Sequence, residues 1–106
     1  MTTSFTYTVD RDSQRVTVRL TGEIDLAAAP QVESAIEEAL AGEEGVDITI
    51  DLDAVTFLDS TGLRVLVAAH SRCAGEGRSL TLVNPSTAVS RILEITGLGQ
   101  TLLADG

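Results

Sequence analysis

Residues 46–74 change from a strand pattern to a helical pattern within a short connector, and this junction limits the folds open to the chain. Apolar residues alternate with polar ones from Val46 to Leu52, which predicts a strand. The apolar spacing then becomes helical from about Ser60 to Ala74. Asp59-Ser60-Thr61-Gly62 opens that helix, where the first N–H groups lack partners and the dipole is positive. Such a helix start can receive a phosphate or a polar group of a partner.

Similar patterns predict the remaining elements. Alternation around Phe5–Val9 and Val16–Leu20 predicts two strands, and their short link predicts an antiparallel hairpin. A loop is expected over Gly22–Leu26. Pro30 fits the first turn of a helix that ends at Gly42 and Gly45. A fourth strand is expected at Leu80–Val83.

The chain after this strand is expected to hold a third helix. Asn84 is its predicted cap, with Pro85 at the first helical position and Gly97 at its end. Thr101–Ala104 adds a short strand or forms a tail.

These elements predict an α/β fold with two layers. Strands one to three alternate, whereas strands covered on both faces are apolar throughout. The chain is therefore expected to form a four- to five-stranded mixed sheet with helices mainly on one face, as a single domain over residues 1–106. The strand–helix–strand–helix–strand order implies parallel crossovers. The loops after strands two, three and four should then share one sheet edge, where ligands and partners of such sheets usually bind. The polar residues of these loops are Glu23, Asp25, Asp59, Ser60, Thr61, Asn84 and Ser86.

Composition narrows the range of partners. The net charge is −9, from sixteen acids against seven arginines, so the surface would repel nucleic acid and anionic membranes. A protein partner with a basic patch is the better expectation, although the acidity could also serve solubility alone.

Cys73 is the only cysteine, which excludes a disulfide framework and a thiol metal cluster. The single cysteine fits a reduced, cytoplasmic setting. No apolar run approaches the ~20 residues of a membrane span and no signal peptide is evident.

Each candidate site residue also has a structural explanation. Asp59, Ser60 or Thr61 could simply cap the helix, Asp25 could cap the first helix, and Asn84 could be only a cap. Gly62 costs up to ~1 kcal/mol relative to alanine, so either a partner group or a tight internal contact is expected close to it.

Catalysis and metal binding find little support in the sequence. Ser60 and His70 stand ten residues apart on one predicted helix, or ~15 Å along its axis, whereas a nucleophile and its base need ~3 Å. His70 and Cys73 are expected to be packing residues. No phosphate-binding or nucleophile motif is present. No enzymatic activity, cofactor or metal site is therefore expected.

The motifs resemble those of STAS domains, and more narrowly of bacterial anti-sigma factor antagonists. The resemblance rests on Gly22-Glu-Ile-Asp25, the apolar strand, Phe57-Leu-Asp-Ser-Thr-Gly-Leu63 and Asn84-Pro85 before a last helix. It covers about residues 5–104 in the same order. The Asp-Ser-Thr-Gly element is its specific part.

This resemblance implies a mechanism. Such an antagonist binds an anti-sigma factor that is also a serine kinase and so frees the sigma factor. The resemblance places the phosphorylated serine at Ser60, implies release of the antagonist after phosphorylation, and implies a phosphatase that resets it. It places a partner contact at Asp25. Glu23, Asp59, Thr61, Gly62 and Asn84 are expected to complete the partner-binding group of a monomer or weak dimer.

Two other functions stay open from the sequence. One is a STAS scaffold, or an accessory subunit of a signalling or lipid-transport complex, that is never phosphorylated. The other is direct nucleotide binding at the helix start of Ser60, which the lack of a glycine-rich phosphate loop disfavours.

Overall fold

The computed structural model describes residues 5–12, 14–41 and 46–103. Within these ranges the elements follow one another as β1 (Thr6–Arg11), β2 (Arg15–Ile24), α1 (Ala29–Leu40), β3 (Asp47–Leu58), α2 (Ser60–Gly75), β4 (Leu80–Val83), α3 (Thr87–Thr96) and α4 (Gly99–Leu102). Gly42, Gly45 and Ala104 lie outside the described residues.

The described strands form one mixed sheet in the order β1-β2-β3-β4. β1 pairs antiparallel with β2, as the short hairpin link predicts, and β2, β3 and β4 run parallel. Val18, Ile50 and Leu82 stand opposite one another and are fully buried. The residues between the buried ones are exposed or half-buried. This alternation confirms the α/β fold, with one face of the sheet buried beneath the helices.

The helices pack on this sheet in chain order. α1 packs against β1 and β2, α2 against α1 and β4, and α3 against β3. Pro30 lies in the first turn of α1, as predicted. The aliphatic residues of β2, β3 and the helices form one core cluster. The core therefore fixes the start of α2 relative to the ends of β2 and β3.

Both central strands are longer than the sequence predicts. Gly22–Ile24 continues β2 instead of forming a loop, and residues 53–58 continue β3 instead of forming a connector. The pairing shifts twice along the two strands, each time by one extra residue in β3. These β-bulges leave Leu52, Val55 and Leu58 as the buried residues of this segment. These buried residues are three positions apart, whereas a regular strand buries every second residue, so the segment does not show the sequence pattern of a strand.

Gly22 stands at the second of these irregularities and adopts a φ of 103°. Side chains with a Cβ rarely adopt this backbone conformation. Glycine therefore lets β2 stay paired with β3 as far as Ile24.

The C-terminal part differs from the prediction in two places. α3 starts at Thr87 with Ser86 as its cap, whose Oγ accepts a hydrogen bond from the Val89 N–H. Asn84 and Pro85 precede this helix, and Asn84 has a φ of 52°. Residues 99–102 form α4, and Leu103 makes a strand-like bridge to Leu82.

Cys73 is fully buried in α2. Burial raises the pKa of its thiol above the ordinary value, so less thiolate forms at a given pH than at an exposed cysteine. We expect Cys73 to react with a thiol reagent at pH 8 at least ~10-fold more slowly in the native protein than in urea. Absorbance after mixing with a chromogenic disulfide measures this rate, and equal rates would contradict the burial.

Candidate functional site

The candidate site lies where β2 and β3 end together. Ile24 and Leu58 are paired as the last residues of the two strands, and the Asp59 N–H donates to the Ile24 carbonyl at 3.1 Å. Asp25 and Asp59 follow these two residues directly. The structure therefore brings the β2–α1 loop beside the start of α2, as predicted from the parallel order.

Asp59 caps α2 and leaves Ser60 unused by the cap. Asp59 Oδ1 accepts a hydrogen bond from the Gly62 N–H at 2.8 Å. Ser60 is the first residue of the helix and is exposed, and its hydroxyl makes no hydrogen bond within the described part of the chain. Thr61 is half-buried beside it. The structural explanation thus holds for Asp59, while Ser60 presents a free hydroxyl to solvent.

Gly62 occupies the tightest contact of the site. A Cβ at this position would lie 2.6 Å from Ile24 Cγ2, 2.8 Å from the Ile24 carbonyl oxygen and 2.8 Å from Leu58 Cδ1. Gly62 is buried, so of its two predicted explanations the internal contact is the one the structure shows. The direct partner contact predicted for Gly62 stays a prediction, and the residue itself faces the strand ends.

Asp25 shapes the loop that leads into α1. Asp25 Oδ1 accepts from the Ala28 N–H at 3.0 Å, and its carbonyl accepts from Ala28 and Ala29. The cap residue of α1 is Ala28, which offers no side-chain hydrogen bond. Asp25, the predicted cap, therefore lies three residues before the observed cap and orders the turn that leads into the helix. It is half-buried, as is Glu23 at the end of β2.

Two apolar side chains at the same edge were not recognised from the sequence as site residues. Leu26, next to Asp25, is 72% exposed, and Phe57, two residues before Asp59, is 47% exposed. Phe57 is paired with Glu23 across the two strands. Leu26 could have been recognised from the sequence, because it lies in a predicted loop, outside the apolar patterns that form the core. The centres of contact surfaces are more apolar than their rims, and aromatic residues are enriched in contact surfaces.

Asn84 does not join this group. β4 ends at Val83 opposite Asp51, and the Asn84 side chain donates to Asp51 Oδ2 at 3.4 Å. Asp51 is paired with Arg19, five residues of β2 before Ile24, or ~17 Å along the strand. The third loop therefore stops short of the edge, because β4 is much shorter than its neighbours.

Other chemistry-bearing residues lie apart from Ser60. His70 is half-buried on α2, and ten residues of helix place it ~15 Å from Ser60. The described residues contain no cluster of three or more histidine, cysteine or acidic residues able to hold a metal ion.

A groove between α1 and α2 is lined by Glu33, Val65 and Arg72 among others, and an Arg72–Glu37 ion pair crosses it. Among the helices that the structure describes, none combines the length and apolar character that crossing a membrane requires.

The cap gives a direct prediction of stability. Asp59→Ala leaves the Gly62 N–H without its acceptor and is expected to lower the free energy of unfolding by ~1 kcal/mol. Asp59→Asn keeps an oxygen in the same place and should cost much less, because asparagine caps about as well as aspartate. Urea titration at 25 °C measures both variants, and equal losses would contradict the capping role.

The fold and site define a class of protein. It is a mixed α/β domain in which a central strand is followed by a helix whose first residue is an exposed serine. The chain belongs to the STAS domain family, matching over residues 7–104 the family described as "Mlab, STAS domain".

The chain is similar in sequence or in structure to several anti-sigma factor antagonists. The chain is 38% identical over 89 residues to the anti-sigma-B factor antagonist of Listeria monocytogenes, covering 84% of this chain and 77% of that one. An anti-sigma factor antagonist from Mycobacterium paratuberculosis superimposes with a TM-score of 0.83 at 34% identity, covering 97% and 87%. The anti-sigma factor antagonist SpoIIAA in its unphosphorylated form gives 0.68 at 26% identity, covering 92% and 86%.

Proposed function

We propose that this chain is an anti-sigma factor antagonist controlled by phosphorylation of Ser60. The unphosphorylated form binds an anti-sigma factor that is also a serine kinase, and the sigma factor is thereby freed. The exposed Ser60 hydroxyl at the start of α2 carries the proposal, because the neighbouring Asp59 performs the capping. The names of the related antagonists support it, and SpoIIAA is described by its phosphorylation state.

The proposed modification is a transfer of one phosphoryl group from ATP held by the partner. Ser60 Oγ forms a bond to the γ-phosphorus as the bond to the β-phosphate oxygen breaks, and ADP leaves. The hydroxyl proton passes to a base of the kinase. A phosphatase later hydrolyses the phosphoserine with water, giving serine and inorganic phosphate. This chain supplies the acceptor and the binding surface and acts without catalysis or a cofactor of its own.

The proposed contact surface surrounds Ser60. Its polar part consists of Glu23, Asp25, Asp59 and Thr61, and Leu26 and Phe57 provide its apolar part. Gly62 supports this surface from beneath. A standard interface of ~800 Å² per partner spans roughly 30 Å, so it includes Asn84 only if its centre lies between Ser60 and the end of β4.

Charge indicates the character of the partner. The three carboxylates at the ends of β2 and β3 belong to a chain with a net charge of −9, so the partner's matching surface is expected to be basic. We place this exchange in the cytoplasm, with the antagonist acting as a single domain that is monomeric or weakly dimeric.

Leu26 tests the apolar part of the surface. Leu26→Ala is expected to weaken binding to the anti-sigma factor by ~10-fold or more, because buried apolar anchors carry much of an interface's free energy. Ile95→Ala is the matched control, since Ile95 on α3 is 73% exposed and Leu26 is 72% exposed. Calorimetric titration measures both affinities. Equal effects of the two substitutions would contradict the assignment of Leu26 to the interface.

The experiment that tests the proposal is intact mass measurement with phosphosite mapping. The protein and its Ser60→Ala variant are incubated with Mg-ATP and an anti-sigma kinase encoded by the same genome. One phosphate on the wild type, mapped to Ser60 and absent from the variant, is the expected result. Binding without any phosphate would favour a constitutive scaffold, and neither phosphate nor binding would favour an accessory subunit of another complex.

A further inference from the structure

Arg64 is placed to interact with whatever Ser60 carries. Both residues lie on α2, four positions apart, which makes them neighbours on the helix surface one turn from each other. Side chains of a helix tilt toward its N-terminus, so the Arg64 guanidinium extends toward the turn that holds Ser60. Arg64 and Ser60 are both exposed.

The Arg64 side chain is not engaged elsewhere. Within the ranges that the structure describes, its guanidinium makes no hydrogen bond or ion pair, whereas Arg19 and Arg72 pair with Asp10 and Glu37. The neighbouring positions on its C-terminal side hold Val67 and Ala68, which are apolar. Of the residues three and four positions away on the helix, only Ser60 and Thr61 are polar. The exposed Arg64 guanidinium therefore lies next to the Ser60 hydroxyl. No acidic residue three or four positions away on α2 competes for this guanidinium.

We propose that Arg64 binds the phosphate of phosphorylated Ser60 within the same chain, an inference that rests on the proposed function. The acidic member of the pair precedes the basic one by four residues, which is the favourable order on a helix. Guanidinium groups bind phosphate through two parallel hydrogen bonds. The phosphate is then held against α2, over the edge that the partner contacts.

This pairing adds a second component to the switch. Before phosphorylation, Arg64 is the cation of the first two turns of α2 and can meet an acidic group of the partner. After phosphorylation, its charge is engaged within the chain. The partner therefore meets added negative charge and at the same time loses a basic contact.

The test measures the second pKa of the phosphate, which is ~6 for phosphoserine. Protein carrying phosphoserine at position 60 is made by genetic incorporation, without any kinase, and titrated by ³¹P NMR. The Arg64→Gln variant removes the guanidinium. Arg15→Gln removes the same charge nine residues of β2 away from Ile24, or ~30 Å. Carboxylates near the phosphate (Glu23, Asp25 and Asp59) raise the pKa equally in all three proteins.

We expect the pKa in the wild type to lie ~0.3 units below that in Arg64→Gln, as for an exposed pair at this spacing. Arg15→Gln should match the wild type. Equal values in the wild type and Arg64→Gln would overturn the proposal, and so would equal shifts in both variants. Because the phosphate is installed without a kinase, failure here leaves the proposed function intact, and that function fails separately if no kinase modifies or binds the protein.

Discussion

Gly62→Ala is expected to lower the free energy of unfolding by ~2 kcal/mol, which corresponds to a fall of roughly 10 °C in Tm. The added methyl would lie 2.8 Å from the Ile24 carbonyl oxygen and 2.6 Å from Ile24 Cγ2. The carbonyl belongs to a paired strand and accepts the Asp59 N–H, so it cannot move without disturbing the sheet. Overpacking of this kind costs about 1–3 kcal/mol, and the better helix propensity of alanine returns up to ~1 kcal/mol.

Gly75→Ala is the control for this substitution. Gly75 lies in the same helix, and a Cβ there would meet nothing within 4 Å. Alanine at position 75 is therefore expected to leave stability unchanged or raise it by less than ~1 kcal/mol. Urea and thermal unfolding of both variants measure the difference. If Gly62→Ala proves as stable as the wild type, the close packing of α2 on β2 and β3 is wrong.

Phosphorylation of Ser60 is expected to weaken binding of the anti-sigma factor by ~100-fold or more. The phosphate adds about −1.5 to −2 charges at an edge that already carries Glu23, Asp25 and Asp59. Like charges brought together in an interface cost several kcal/mol, and each ~1.4 kcal/mol is a factor of ten in Kd. A single engaged guanidinium, that of Arg64, offsets only part of this charge.

Phosphoserine installed at position 71 is the matched control. Ser71 is also exposed on α2, but eleven residues of helix separate it from Ser60, ~16 Å along the axis. It adds the same charge to the chain and should change the affinity less than ~3-fold, since charges beyond a Debye length of ~8 Å are largely screened. Calorimetry with the anti-sigma factor measures both proteins. Similar losses at the two positions would mean that net charge, and not the edge around Ser60, controls binding.

The junction between β3 and α2 could be read from the sequence because local rules agree there. Asp59, Ser60 and Thr61 favour a helix start, and the apolar spacing that follows defines the face of α2. The length of β3 could not be read, because the two bulges depend on pairing with β2 and change the period of its buried residues. The length of β3 is thus set by its pairing with β2 and not by its local sequence pattern.

The site shows the same division. The nearness of Asp25 to Asp59 followed from the parallel strand order, which local patterns determine. The position of Asn84 did not follow, because it depends on β4 ending opposite Asp51. The exposure of Leu26 and Phe57 is likewise a property of the packed molecule, since an isolated leucine or phenylalanine in the sequence predicts burial.

Release of the sigma factor is the measurement that tests the central claim most directly. A preformed complex of the anti-sigma factor and its sigma factor is mixed with the unphosphorylated protein or with the protein carrying phosphoserine at position 60, and free sigma factor is quantified by size-exclusion chromatography. We predict release by the unphosphorylated form and little or none by the phosphorylated one. Equal release by both forms, or release by neither, would contradict a switch at Ser60.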